Sequence, residues 1–149
     1  MSIADSIAVT HEVRDTCLCL RAQKAARSMA RRFDAALRPF GLSSGQFTLL
    51  NAINQESPPG MAELAALLGA DRTTLTAAVK PLTRRGLVAV VVDAADRRGR
   101  RLSLTHEGRT LLEQATPAWR ACHRALDGCL GEGGADRLRR DLDALANVH

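Results

Sequence analysis

Tyrosine is missing altogether, and aromatic residues make up only 3% of this 149-residue chain. Any core must therefore be built from Leu, Ala and Val. Lysine is nearly missing too. Lys24 and Lys80 are the only two, so arginine supplies almost all of the 21 basic residues and of the net charge of +5. No apolar run approaches the roughly 18 residues that span a bilayer. The N-terminus carries Asp5 and Glu12 and lacks the basic start and apolar stretch of a signal peptide, so a cytoplasmic protein is expected. Its four cysteines (Cys17, Cys19, Cys122, Cys129) are then thiols by default. There is no glycine-rich phosphate loop, no nucleophile elbow and no paired histidine–carboxylate constellation, and the glycine clusters are helix breaks. Catalysis is not expected. Nor is a cofactor or a metal, because Cys17 and Cys19 with His11, or Cys122 with His123, give no zinc-ligand spacing. Internal repeats and low-complexity tracts are also lacking.

What is present points elsewhere. At 46% hydrophobic and 25% charged, the chain has the composition of one globular domain. Arginine's planar fork suits phosphates and guanine edges, and the positive balance suits a polyanion. The charge is concentrated in "DAADRRGRRLSLT", where Arg97, Arg98, Arg100 and Arg101 surround one glycine. Four adjacent positive charges repel one another unless an anion lies near.

Hydrophobic periodicity divides the chain. From Cys17 to Phe40, Leu18, Ala22, Ala25, Met29, Phe33, Ala36 and Phe40 recur at steps of three or four, which is one helical stripe. Pro39 and Gly41 close that helix. Ser43 or Ser44 caps a second, with Phe47, Leu50 and Ile53 on one face. "MAELAALLG" is a short helix ending at Gly69. Asp71 caps the next, whose buried stripe is Leu75, Val79 and Leu82 and whose end is Gly86. Two short helices across a tight "GAD" junction form a helix-turn-helix pattern. Val88–Val92 and Arg101–Leu104, on either side of the arginine turn, form a β-hairpin. Thr105 caps a further helix, which Pro117 is expected to kink or split. "GEGG" breaks the chain before a last amphipathic helix.

In this order and at these intervals, "GLSSGQFTLL", "ELAALLGADRTTLT", "RRGLV" and "DAADRRGRRLSLTHEG" resemble the MarR family of winged helix-turn-helix transcriptional regulators. The resemblance runs from about Cys17 to Leu130. Its one departure in the recognition helix is Ala70, where an aliphatic residue is usual. It implies a mainly α fold with a small β-hairpin wing. Residues 1–40 would be an N-terminal arm and dimerisation helix, and residues 41–104 the DNA-binding region, with recognition helix 71–85 and wing 88–104. Residues 105–149 would be C-terminal dimerisation helices. It further implies a homodimer on double-stranded DNA, with a near-palindromic operator whose half-sites lie about one helical turn apart.

Under that resemblance, Arg72 is the leading base reader, because a guanidinium bonds guanine O6 and N7 together. Thr73, Thr74 and Thr76 offer hydroxyls and methyls to bases or phosphates, and Lys80 is placed for backbone phosphate. Arg98 is expected at the wing tip in the minor groove, where narrowing concentrates negative potential. Arg97, Arg100 and Arg101 are expected on phosphates or on Asp93 and Asp96, and Asp96 is expected to pair with an arginine and fix the wing. Ile3, Ile7 and Val9 at one end, and Leu138, Leu142 and Leu145 at the other, are candidates for the dimer interface. The effector pocket implied by the resemblance takes Arg21, Trp119 and His123 as candidates and an aromatic or organic acid as ligand. A second reading is a hydroperoxide-sensing repressor using Cys19, resolved by Cys122 or Cys129, with Arg14 or Arg21 supplying a positive field. That branch of the family holds its thiol with tyrosines, and Phe33 stands where one would be wanted. A degenerate module that binds no DNA is the alternative from another class. It should have lost the basic residues that this chain keeps as Arg72, Lys80 and Arg98.

Overall fold

The computed structural model describes residues 2–148. Helix α1 (Ile3–Thr16) begins with a reciprocal cap, in which the Asp5 amide donates to Ser2 Oγ and the Ser2 amide to the Asp5 carboxylate. The expected arm is thus a helix, and its Ser-x-x-Asp start is the signal for it. Helix α2 (Leu18–Leu37) follows after a single residue, Cys17, and ends in a 3-10 turn at Arg38–Phe40. Helix α3 (Ser44–Ile53) is capped by Ser43 and Gln46 and tied to α2 by the Ser44 amide, 2.7 Å from Asp34 Oδ1.

Helices α4 (Met61–Leu68) and α5 (Arg72–Arg84) form the helix-turn-helix, joined through Gly69 in the left-handed conformation and the Asp71 cap. Strands β1 (Val88–Val92) and β2 (Arg100–Leu104) pair antiparallel, from Val88 opposite Leu104 to Val92 opposite Arg100. The hairpin is stitched back onto the α3–α4 loop by a Gly60–Arg101 bridge and by the Leu102 amide on the Pro59 carbonyl at 2.9 Å.

Helix α6 (His106–Asp127) then runs 22 residues, and α7 (Gly134–Ala146) closes the chain. Pro117 does not split α6. It removes one backbone donor, but buried Ala115 and half-buried Trp119, on either side of it, hold the helix against the core.

One core joins these elements: Leu37, Phe47, Leu50, Ile53, Leu64, Leu75, Val79, Leu82, Val88, Leu102, Leu104 and Leu112. It lies wholly between the end of α2 and the middle of α6. Buried Gly108, in the first turn of α6, sits directly on the backbone of Leu87. A Cβ there would lie 2.1 Å from the Leu87 carbonyl oxygen, so only glycine allows the approach. Thr105 completes this joint. Its amide donates to the Leu87 carbonyl (3.1 Å) and its hydroxyl to the Gly86 carbonyl (2.6 Å), while Thr105 Oγ1 accepts from the Gly108 amide. The start of the wing and the start of α6 are therefore one rigid corner.

Candidate nucleic-acid interface

Helix α5 turns Leu75, Val79 and Leu82 inward, and the spacing that buries them leaves Arg72, Thr73, Thr76, Ala77 and Lys80 together on the exposed face. These five line one shallow surface depression of about 520 Å³. Thr74 stands apart. Its amide and hydroxyl both donate to Asp71, at 2.8 and 2.7 Å, so it closes the helix cap. The same two bonds, the amide foremost, hold the Asp71 carboxyl below the usual carboxylate range. Thr76 donates its hydroxyl to the Arg72 carbonyl at 2.8 Å. The Thr73 hydroxyl and the Arg72 and Lys80 side chains make no hydrogen bond among the described residues.

Beside this face stands the wing. A groove of about 540 Å³ separates the two, lined by Arg72, Thr76 and Lys80 on one side and by Val90, Arg100 and Leu102 on the other. The turn is built by its aspartates. Asp93 accepts the Ala95 amide (2.9 Å) and Arg101 Nε (2.8 Å), and these contacts, the amide first, lower its pKa. Asp96 accepts the Arg98 amide at 2.9 Å. Asp96 thus meets a backbone amide, not the arginine side chain expected of it. The ion pair expected of it belongs to Asp93, because Arg101 lies opposite Val91 in the register, on the strand beside Asp93 and not at the tip. Gly99 fits closely there, since a Cβ would come within 3.1 Å of Asp93 Cβ and 3.2 Å of the Asp96 carbonyl oxygen and the turn would have to give by a few tenths of an ångström.

Arg101 also reaches the Pro58 carbonyl (2.9 Å) and Glu63 (3.4 Å), so it clamps the wing to the start of α4. Arg100 folds back onto the Arg97 and Gly99 carbonyls. The Arg97 and Arg98 side chains are exposed and have no partner among the described residues. Two cations are held and two project.

This winged-helix fold has many solved counterparts. The transcriptional regulator MosR of M. tuberculosis, crystallised in complex with DNA, is 40% identical, with a TM-score of 0.79 over 88% of this chain and 94% of its own. The chain belongs to the MarR family. The family model described as MarR family matches residues 40–99, from the end of α2 to the wing turn. The transcriptional repressor CouR bound to a 23-mer DNA duplex is 26% identical, with a TM-score of 0.81 over 91% of this chain and 96% of that one. CouR from Rhodococcus jostii RHA1 bound to p-coumaroyl-CoA has the same fold, at 24% identity and a TM-score of 0.79 over 91% and 95%. No curated protein matches the chain by sequence. It is thus a DNA-binding transcriptional regulator of the MarR family, with the winged-helix fold.

The other expected sites of this MarR-family chain are distributed as follows. Trp119 and His123 come together, with ring centroids 4.8 Å apart, and Phe33 and Phe47 pack on Trp119 at 6.3 and 5.9 Å. On one side of this cluster a recess of about 430 Å³ lies between α3 and α6, lined by Thr48, Asn51, Thr116 and Arg120. On the other, one of about 310 Å³ lies among α2, α6 and α7, lined by Met29, His123, Leu138 and Arg139. Arg21 lines neither. It sits some three turns of α2, about 18 Å, from Phe33 and donates to the Asp15 carbonyl.

All four thiols are free. Cys19 is exposed, and its Sγ accepts from the Gln23 side-chain Nε2 at 3.2 Å. Cys122 is half-buried, and Cys129 donates to the Ala125 carbonyl. Cys17, weighed in the sequence only as a thiol and a zinc ligand, caps α2 through its Sγ, which accepts the Leu20 amide. Its signal was the break between two helical stretches. Ala77 joins the α5 face although it has no polar atom to mark it in the sequence. Among the described residues no three metal-ligating side chains cluster, and no helix is long and apolar enough to cross a membrane.

Proposed function

We propose that this regulator acts as a homodimeric repressor on a near-palindromic operator and is released by a small organic acid. The observation that carries this reading is the pairing of two exposed features, the Arg72–Lys80 face of α5 and the unpartnered Arg97 and Arg98 beside it. Arg72 bonds guanine, Thr73 and Lys80 meet phosphate or base edges, and Arg98 enters the minor groove. Arg97 and Arg100 neutralise phosphates, and Thr74 serves by capping the helix that carries the others. CouR, named as a repressor and bound to DNA, supports the sign of regulation.

The dimer is supported by apolar side chains that one chain leaves bare. Ile3, Ile7, Val9 and Val13 on α1 are 83, 51, 50 and 50% exposed, and Leu138, Leu142 and Leu145 on α7 are 38, 42 and 52% exposed. Residues 1–40 and 105–149 are thus the dimerisation ends, and residues 41–104 the DNA reader. The two recesses beside Trp119 support an aromatic or organic acid effector, with His123 and Arg120 as its polar neighbours.

The α1–α2 junction favours one second reading. There the Cys17 and Cys19 sulfurs both accept hydrogen bonds, and Cys19 is exposed to an incoming oxidant. Hydroperoxide sensing would begin at Cys19 and resolve on Cys122 or Cys129.

A gel-shift titration on the DNA upstream of the protein's own gene tests all of this. Reduced and hydroperoxide-treated protein are run side by side, with and without aromatic acids. Release by an acid supports the first reading, and release by oxidant with recovery in thiol supports the second. Failure to bind DNA at low salt refutes both.

A further inference from the structure

The reading face of α5 holds less polar chemistry than its sequence suggests. Thr74 has both its amide and its hydroxyl committed to Asp71, and Thr76 has spent its proton on the Arg72 carbonyl. Ala77 has only a methyl. What faces outward, beyond Arg72, Thr73 and Lys80, is therefore a small apolar patch formed by Thr76 and Ala77. Arg72 and Thr76 lie one turn apart, about 6 Å along the axis. Base pairs stack at about 3.4 Å, so the patch falls within about two base steps of whatever Arg72 bonds.

In the major groove one base edge carries a methyl group, that of thymine. A methyl set against cytosine N4 or adenine N6 would instead strand an amino donor. We propose that Thr76 and Ala77 are specificity-determining residues that read thymine 5-methyl groups, within about two base steps of the guanine held by Arg72. Each half-site then contains a guanine with thymines beside it. This inference rests on the proposed role of Arg72 and the α5 face.

The test begins with selection of bound duplexes from a random pool, using the full-length protein. The enriched half-site should hold guanine and thymine at that spacing. Each thymine is then replaced by deoxyuridine, which removes the methyl and nothing else. Burial of one methyl predicts about a fourfold loss of affinity at a contacted position. The Thr76→Ser variant lacks the methyl but keeps the hydroxyl bond, and should bind the thymine and deoxyuridine duplexes alike at its own position. Ala77→Gly should do the same at a neighbouring thymine. Because glycine loosens the helix, its melting temperature is measured alongside.

Affinity unchanged by deoxyuridine at every thymine overturns the inference. So does a deoxyuridine penalty of the same size in wild type and in both variants. A selection that enriches no sequence overturns the reading-face assignment itself, and the two failures are told apart at the first step.

Discussion

Substituting Gly108 with alanine probes the corner where the wing meets α6. The added Cβ would lie 2.1 Å from the Leu87 carbonyl oxygen, against a practical lower limit of 3.0 Å, so the joint must open by about 0.9 Å. Both partners are backbone, and neither can rotate away. The Leu87 carbonyl also accepts the Thr105 amide, so it cannot retreat without stretching a second bond. Over-packing costs about 1–3 kcal/mol, and a clash against fixed backbone lies in the upper part of that range, at about 2–3 kcal/mol. The intrinsic helical preference of alanine returns up to about 1 kcal/mol, so the clash prevails. Each kcal/mol moves the midpoint by about 2–4 °C in a chain of this size. Gly108→Ala should therefore melt roughly 2–8 °C lower when followed by far-UV circular dichroism at matched concentration. Gly128→Ala is the control. Its backbone is right-handed at φ −62, and nothing lies within 4 Å of the added carbon, so it should melt at or slightly above wild type. If Gly108→Ala melts as high as Gly128→Ala, the packing argument for this corner is wrong.

Other perturbations test the interface more directly. Arg98→Ala should weaken operator binding and reduce the slope of log K against log salt by about one; an unchanged slope removes Arg98 from the DNA contact set. Asp93→Asn should free Arg101 and lower DNA affinity while leaving the helical circular dichroism intact. The Asp93 carboxyl is held below its ordinary value, so its stabilisation is complete above about pH 3.9 and is lost as pH falls through the lower folded value. The gap in urea midpoint between wild type and Asp93→Asn should thus be equal at pH 7 and pH 5 and should close only in stronger acid; a gap that closes between pH 7 and pH 5 refutes the assignment. Thr105→Ala removes a cap and its bond to Gly86 and should cost about 1–2 kcal/mol in a urea titration.

The fold was legible wherever a pattern is local. Leu75, Val79 and Leu82 gave the buried face of α5, Asp71 its start, and the β-branched run from Val88 one strand of the hairpin. Two things were not legible, for different reasons. The partner of an arginine depends on strand register, and Arg101 reaches back eight residues to Asp93 and across to Pro58, while nearer Asp96 turns to an amide. Pro117 argues for a break only if nothing holds the helix from outside, and Ala115 and Trp119 do. The site behaves likewise. Arg72, Thr73, Thr76 and Lys80 share a face because helical spacing requires it. The committed hydroxyls of Thr74 and Thr76 could not be read from residue type, and Arg21 falls outside the aromatic recesses because length along α2 separates them.

Helix α6 has a mechanical consequence. At 22 residues it is about 33 Å long, fixed at its first turn to the base of the wing and running out at its last beyond the buried core. Such a rod is a lever with its fulcrum at Gly108. A tilt of about 5° at that pivot corresponds to roughly 3 Å at the far end over this length, nearly one base step. In the proposed homodimer, the corner that makes each reading head stiff therefore also makes the separation of the two heads sensitive to small rotations of α6.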